Sequence, residues 1–140
     1  MMIEKLDKIL ESNVFIDFAL LFGSYAKGTQ TELSDIDIAI HTSYEIGIFQ
    51  RGLLIAELES HLDKKIDLVI LNQLYKTNAK LAFNIIDNHQ AIFIHNHSSY
   101  MDFKTNTLKY FFDMQYTYDL FDNALKQRIE NGTFGKTQAS

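Results

Sequence analysis

An α/β architecture, with a small sheet flanked by packed helices and one long C-terminal helix, follows from three features of the chain. Apolar runs of strand length recur at Phe18-Ala19-Leu20-Leu21-Phe22, Ile66-Asp67-Leu68-Val69-Ile70-Leu71 and Ala91-Ile92-Phe93-Ile94. From Asp35 to Ile38 acidic and aliphatic residues alternate with the period of a strand. The stretches between these runs carry apolar residues at helical spacing, as helices covering a sheet require.

In chain order, Ile3, Leu6, Ile9 and Leu10 predict a short first helix ending near Ser12-Asn13. Residues 14–22 predict the first strand. A short helix starts at Gly23-Ser24 and stops near Gly28, and a polar loop delivers the chain to a strand over Asp35–His41. From about Tyr44 to His61, Phe49, Leu53 and Ala56, with Leu54, Leu58 and Leu62, trace the broad apolar face of a longer helix. After the strand at 66–71, Asn72 is placed to cap a helix running to about Asn88, and residues 91–94 form a fourth strand.

The remainder, from about Tyr100 to Ile129, reads as one helix with two apolar stripes. Phe111, Met114, Tyr118, Phe121 and Leu125 form the first, and Leu108, Phe112, Tyr116 and Leu120 the second, on nearly opposite sides of the cylinder. A helix packed on its own domain needs one such face. The spare face implies a partner, either another copy of the chain or a different protein, unless the domain wraps the helix in its own core.

Composition narrows the class. At 140 residues the chain is expected to form one domain with a real core. Apolar residues make up 46% and charged residues 22%, an ordinary globular balance. The net charge is −5 and no basic cluster exceeds Lys64-Lys65, which disfavours direct nucleic-acid binding. There is no cysteine, and therefore no disulfide or thiolate metal site. No apolar run approaches a membrane span and the N-terminus is too acidic for a signal peptide, so a soluble cytoplasmic protein without membrane contact is expected. His95 and His97 form an H-x-H read as a loop, with no third ligand at useful spacing, so no zinc is expected. His41 reads as a polar strand end, and His61 and His89 as surface positions near helix ends.

The chemistry is concentrated in Gly23-Ser24, followed ten residues later by Asp35-Ile36-Asp37. Asp35 and Asp37 share one strand face, and two adjacent carboxylates are costly unless a cation neutralises them. The Gly-Ser turn can offer backbone N–H groups and a hydroxyl to an anion. A cation site beside a phosphate site points to nucleotide chemistry. Asp67, on a later strand, can complete a carboxylate trio, and oxygen-only ligands suit Mg²⁺ or Mn²⁺. Lys27, one helical turn beyond Ser24, can reach the same phosphates. Taken alone, Ser24 also fits an ordinary N-cap, the two aspartates a solvated strand face, and Asp67 a pair with Lys64 or Lys65.

Together these residues resemble the nucleotidyltransferase superfamily of the DNA polymerase β type, over about residues 12–95. Its pattern is a Gly/Ser pair, a spacer, an acid-x-acid strand and a third acid on a later strand. In size the chain is similar to the minimal nucleotidyltransferases, and among them to the MntA antitoxins encoded beside HEPN-domain toxins. The resemblance implies a small mixed sheet, a catalytic domain over 1–96, a helix over 97–130 as partner interface and a polar tail over 131–140. It implies transfer of AMP from ATP to a tyrosine of a cognate HEPN toxin, within a hetero-oligomer, with Mg²⁺ or Mn²⁺ as cofactor. Asp35, Asp37 and Asp67 would hold metal, Asp67 would also take the proton of the attacking hydroxyl, and Gly23, Ser24 and Lys27 would hold the triphosphate. Two other functions fit the same pattern: nucleotidyl transfer to a small molecule such as an aminoglycoside, and a non-catalytic antitoxin that acts by binding alone.

Overall fold

The computed structural model describes residues 2–131; the polar tail expected over 131–140 lies, from 132 onward, outside the described residues. Four strands, β1 (Ile16–Phe22), β2 (Ile36–Thr42), β3 (Ile66–Ile70) and β4 (His89–Ile94), form one sheet in the order β3-β2-β1-β4. β1 runs antiparallel to β2 and β4, whereas β2 and β3 are parallel, so the sheet is mixed. β1 is central and covered on both faces, and its residues are buried from Ile16 to Leu21. That position explains an apolar run with little alternation. β2 alternates instead: Ile36, Ile38 and Ile40 enter one core and Ala39 the other, with Asp37 and His41 on the side of Ala39.

Helices α1 (Met2–Leu10) and α3 (Ile48–Leu62) close the first face, where Leu6, Leu10, Leu54 and Leu58 join Ile38, Ile40 and Leu68. The second face is closed by α4 (Leu74–Thr77), α5 (Ala79–Asp87) and the start of α6 (His97–Glu130). There Ala82, Ile85 and Phe103 join Phe18, Leu20 and Ala39. Each fully buried Leu, Ile or Phe contributes about 1.5–3 kcal/mol. A single turn, α2 (Ser24–Lys27), connects β1 to the loop before β2 and ends at Gly28, whose φ of 75° is left-handed.

The helix expected to run unbroken from Asn72 to Asn88 is divided. Asn72 does not cap it. Its Oδ1 accepts the Thr42 N–H at 3.0 Å and its Nδ2 donates to the Thr42 carbonyl at 2.7 Å, stapling the end of β3 to β2. Gln73 turns left-handed (φ 57°), and helix resumes at Ala79 after Asn78, whose Oδ1 accepts the Leu81 N–H at 3.1 Å. α3 begins at Ile48 rather than Tyr44 because Gly47 is extended. β4 reaches back to His89, and α6 begins at His97, so that histidine opens a helix instead of lying in a loop.

α6 is buried in its own domain only at Phe103 and Thr107. Phe111 stacks on Phe83 of α5 at 3.9 Å and Phe112 meets the same ring at 6.2 Å; past Met114 the described residues of the helix are exposed except Leu125. Phe112, Tyr116 and Leu120 are 54–66% exposed, and Phe121 on the other stripe is 75% exposed. The domain therefore does not wrap this helix in its core. Among the described residues no helix is long and apolar enough to cross a membrane.

Candidate active site

Asp37 of β2 and Asp67 of β3 are register partners in the parallel pair, so their side chains rise from the same face of the sheet. Asp35, two residues before Asp37, lies at the mouth of β2. The Ile36 N–H donates to the Lys65 carbonyl at 3.0 Å and fixes where the two strands meet. The Asp37 carboxyl is pushed up from 3.8 to about 6. Partial burial is the largest cause, followed by the negative charges of Asp67 and Asp35 and a side-chain hydrogen bond with Asp67. Asp37 thus adjoins Asp67 and lies within electrostatic reach of Asp35. Asp35 and Asp67 are exposed, so the cluster opens to solvent.

The Gly-Ser turn abuts this cluster. Phe22, the last residue of β1, pairs with Asp37, and Gly23 follows with φ 70° and ψ −149°. Only glycine adopts that conformation without strain. A Cβ at Gly23 would overlap Oδ2 of Asp37 and lie 3.0 Å from its Cγ. Gly23 therefore permits the turn and the carboxylate to occupy adjoining space. Gly23, not Ser24, holds the N-cap position of α2, and the Ser24 hydroxyl has no hydrogen-bond partner among the described residues. The N–H groups of Ser24 and Tyr25, first in the helix, have no intrahelical acceptor. Lys27 closes the turn, exposed and without an ion-pair partner among the described residues.

Neither Lys64 nor Lys65 pairs with Asp67; the Lys64 ammonium donates instead to the Glu32 carbonyl at 3.0 Å. Neither lysine therefore neutralises the cluster. Among the described residues no group of three His, Cys, Asp or Glu side chains is placed to hold a metal ion, so the metal-binding set the structure offers is the Asp37–Asp67 pair. An open set of carboxylates is the donor set of Mg²⁺, which is held by one or two carboxylates together with waters and substrate phosphates. The residues fit that ion.

The histidines lie elsewhere. His41 sits at the far end of β2, its Nδ1 2.9 Å from Asp17 and its ring stacked on Phe18. It lines a separate polar cavity of about 820 Å³ with Asp17, Ser43 and Arg51. His89 is half-buried rather than superficial: Nδ1 donates to the Ile85 and Ile86 carbonyls and Nε2 accepts from the Tyr100 hydroxyl at 2.7 Å. No local sequence signal announces the Asp17–His41 pair, which joins residues 24 positions apart.

Residues 4–98 match the family profile described as polymerase beta nucleotidyltransferase. The chain belongs to this nucleotidyltransferase family. The nucleotidyltransferase is similar to the protein adenylyltransferase MntA of Shewanella oneidensis, with 41% identity over 68 residues. That alignment covers 48% of this chain and 49% of the relative, so the chain spans about half the length of that curated protein. Its fold matches a crystal structure of a toxin–antitoxin pair with AMP-PNP, at TM-score 0.68 and 25% identity over 92% of this chain and 99% of the other. It also matches, at TM-score 0.66 and 22% identity, a structure of tri-AMPylated Shewanella oneidensis HEPN toxin in complex with MNT antitoxin. That match covers 89% of this chain and 95% of the other.

Proposed function

We propose that the chain is a protein adenylyltransferase antitoxin, which transfers AMP from ATP to a tyrosine hydroxyl of a cognate HEPN toxin and so neutralises it. The observation that carries this reading is the register of Asp37 with Asp67 beside the Gly23 turn, carboxylates suited to a cation next to backbone suited to an anion. The relative named as a protein adenylyltransferase and the toxin–antitoxin fold neighbour holding AMP-PNP support it.

In this reading Asp35, Asp37 and Asp67 hold Mg²⁺ or Mn²⁺. When bound, the metal neutralises the triphosphate and stabilises charge on the attacking and leaving oxygens. Gly23 brings the backbone close to the triphosphate, while the uncommitted Ser24 hydroxyl and Lys27 ammonium bind its outer oxygens. Asp67, the most solvent-facing of the paired acids, orients the tyrosine hydroxyl and accepts its proton. The tyrosine oxygen bonds to the α-phosphorus as the α–β bridging bond breaks, and pyrophosphate leaves. Catalysis belongs to residues 1–96. The helix over 97–130, with its exposed aromatic stripes, holds the toxin in a hetero-oligomer, and the complex works in the cytoplasm.

The test is transfer from ATP labelled at its α-phosphate to the purified partner in the presence of Mg²⁺. Label on the partner, lost on addition of a chelator and in the Asp35→Ala/Asp37→Ala variant, is the expected result. A tight complex without label would instead make the chain a binding antitoxin, and label on an added aminoglycoside would make it a small-molecule enzyme.

A further inference from the structure

Asp67 stands on an edge strand, and edge strands lack a second neighbour to hold them. The odd residues of β3 face β2: the Lys65 carbonyl accepts from Ile36, and the Leu71 N–H donates to the Ile40 carbonyl. The even residues therefore present their backbone groups to the open side. Two side chains of α3 occupy that side. Glu59 Oε2 accepts the Ile66 N–H at 3.0 Å, and Arg51 Nη2 donates to the Leu68 carbonyl at 2.6 Å. These bonds fall on the residues immediately before and after Asp67.

We infer that Glu59 and Arg51 are positioning residues for the transfer reaction, replacing a missing fifth strand on either side of Asp67. The inference rests on the role given to Asp67 above. A carboxylate in register with Asp37 must hold its place within a fraction of an ångström for both to engage one metal ion. An edge strand five residues long, bonded on one side only, has the freedom to slide or peel away from β2. A charged donor to one flanking carbonyl and a charged acceptor for the other flanking amide remove that freedom. The same two side chains occupy the edge that another strand would use, so the acceptor segment of a partner reaches Asp67 from the sheet face rather than by extending the sheet.

The experiment compares Glu59→Ala, Glu59→Gln, Arg51→Met and Asp67→Asn in the complex with the partner, measuring kcat for AMP transfer and the Mg²⁺ concentration for half-maximal rate. Glu59→Ala and Arg51→Met are expected to need at least threefold more Mg²⁺ and to lose about tenfold in kcat, with partner affinity unchanged. Glu59→Gln, which retains an acceptor oxygen, is expected to restore both values to within about twofold of the original; a merely structural loss would track thermal midpoint and show no shift in metal requirement. Should Arg51→Met fail to fold, Arg51→Lys reads the same contact. Folded Glu59→Ala and Arg51→Met chains with unchanged kcat and metal requirement, beside an inactive Asp67→Asn, would overturn the positioning role and leave the function standing. An active Asp67→Asn would remove the role given to Asp67 and the positioning role with it while leaving AMP transfer standing, and no transfer by the unmutated chain would remove the function itself.

Discussion

Gly23 and Asp37 share one volume: the space that a side chain at position 23 would take is filled by the Asp37 carboxylate. Gly23→Ala therefore meets two obstacles, a collision with that carboxylate and a φ of 70° that an L side chain rarely adopts. Destabilisation of about 1–3 kcal/mol is expected from the backbone alone, together with loss of AMP transfer by 100-fold or more, roughly the cost of misplacing a catalytic group by an ångström. Gly28→Ala is the control. Its φ is also positive, at 75°, but nothing lies within 4 Å of the added Cβ. It should lose about 1 kcal/mol in denaturant titration and keep its transfer activity.

Asp37 makes ligand-free stability depend on pH in an unusual direction. Its folded value of about 6 lies above the ordinary 3.8, so the folded chain binds more protons than the unfolded chain between these limits. Stability falls as pH rises through that window. The adverse contribution is absent below 3.8 and complete above about 6. Without metal, the urea midpoint should be higher at pH 5 than at pH 7.5 as far as this group is concerned. Asp37→Asn should flatten that difference and stabilise the metal-free chain at pH 7.5 by about 1 kcal/mol, after allowing for solvent screening of a partly exposed group. Saturating Mg²⁺ should reverse the trend for the unmutated chain, because metal binds the deprotonated carboxylates.

If the exposed stripe of α6 holds the partner as proposed, its substitution separates folding from assembly. Phe112, Tyr116 and Leu120 are more than half exposed, so replacing all three with serine should shift the stability of the isolated chain by about 0.5 kcal/mol per site or less. The same variant should fail to co-elute with the partner in size-exclusion chromatography. Phe103→Ala behaves oppositely, because Phe103 is buried against Phe18 and Tyr75, and it should cost about 3–5 kcal/mol.

Much of the site was legible in the sequence because its signals are local. Period-two alternation at Asp35-Ile36-Asp37 and an apolar run ending at Gly23 define a strand and a turn without reference to the rest of the chain. The position of Asp67 opposite Asp37 was only an expectation there, since register depends on how β3 docks. What escaped were contacts between distant segments. Asn72 has the chemistry of a helix cap, but Thr42, 30 residues away, takes both ends of its amide. Arg51 and Glu59 look like ordinary solvated positions on α3 until β3 is placed beside them. His89 resembles a surface residue until Tyr100 folds back onto it.

The most direct test of three carboxylates converging for AMP transfer is the intact mass of the partner after incubation with ATP and Mg²⁺. With the unmutated chain the partner should gain the mass of one or more AMP groups, and with the folded Asp67→Asn chain it should gain none. A partner that stays unmodified with the unmutated chain, or is modified equally by Asp67→Asn, would contradict it.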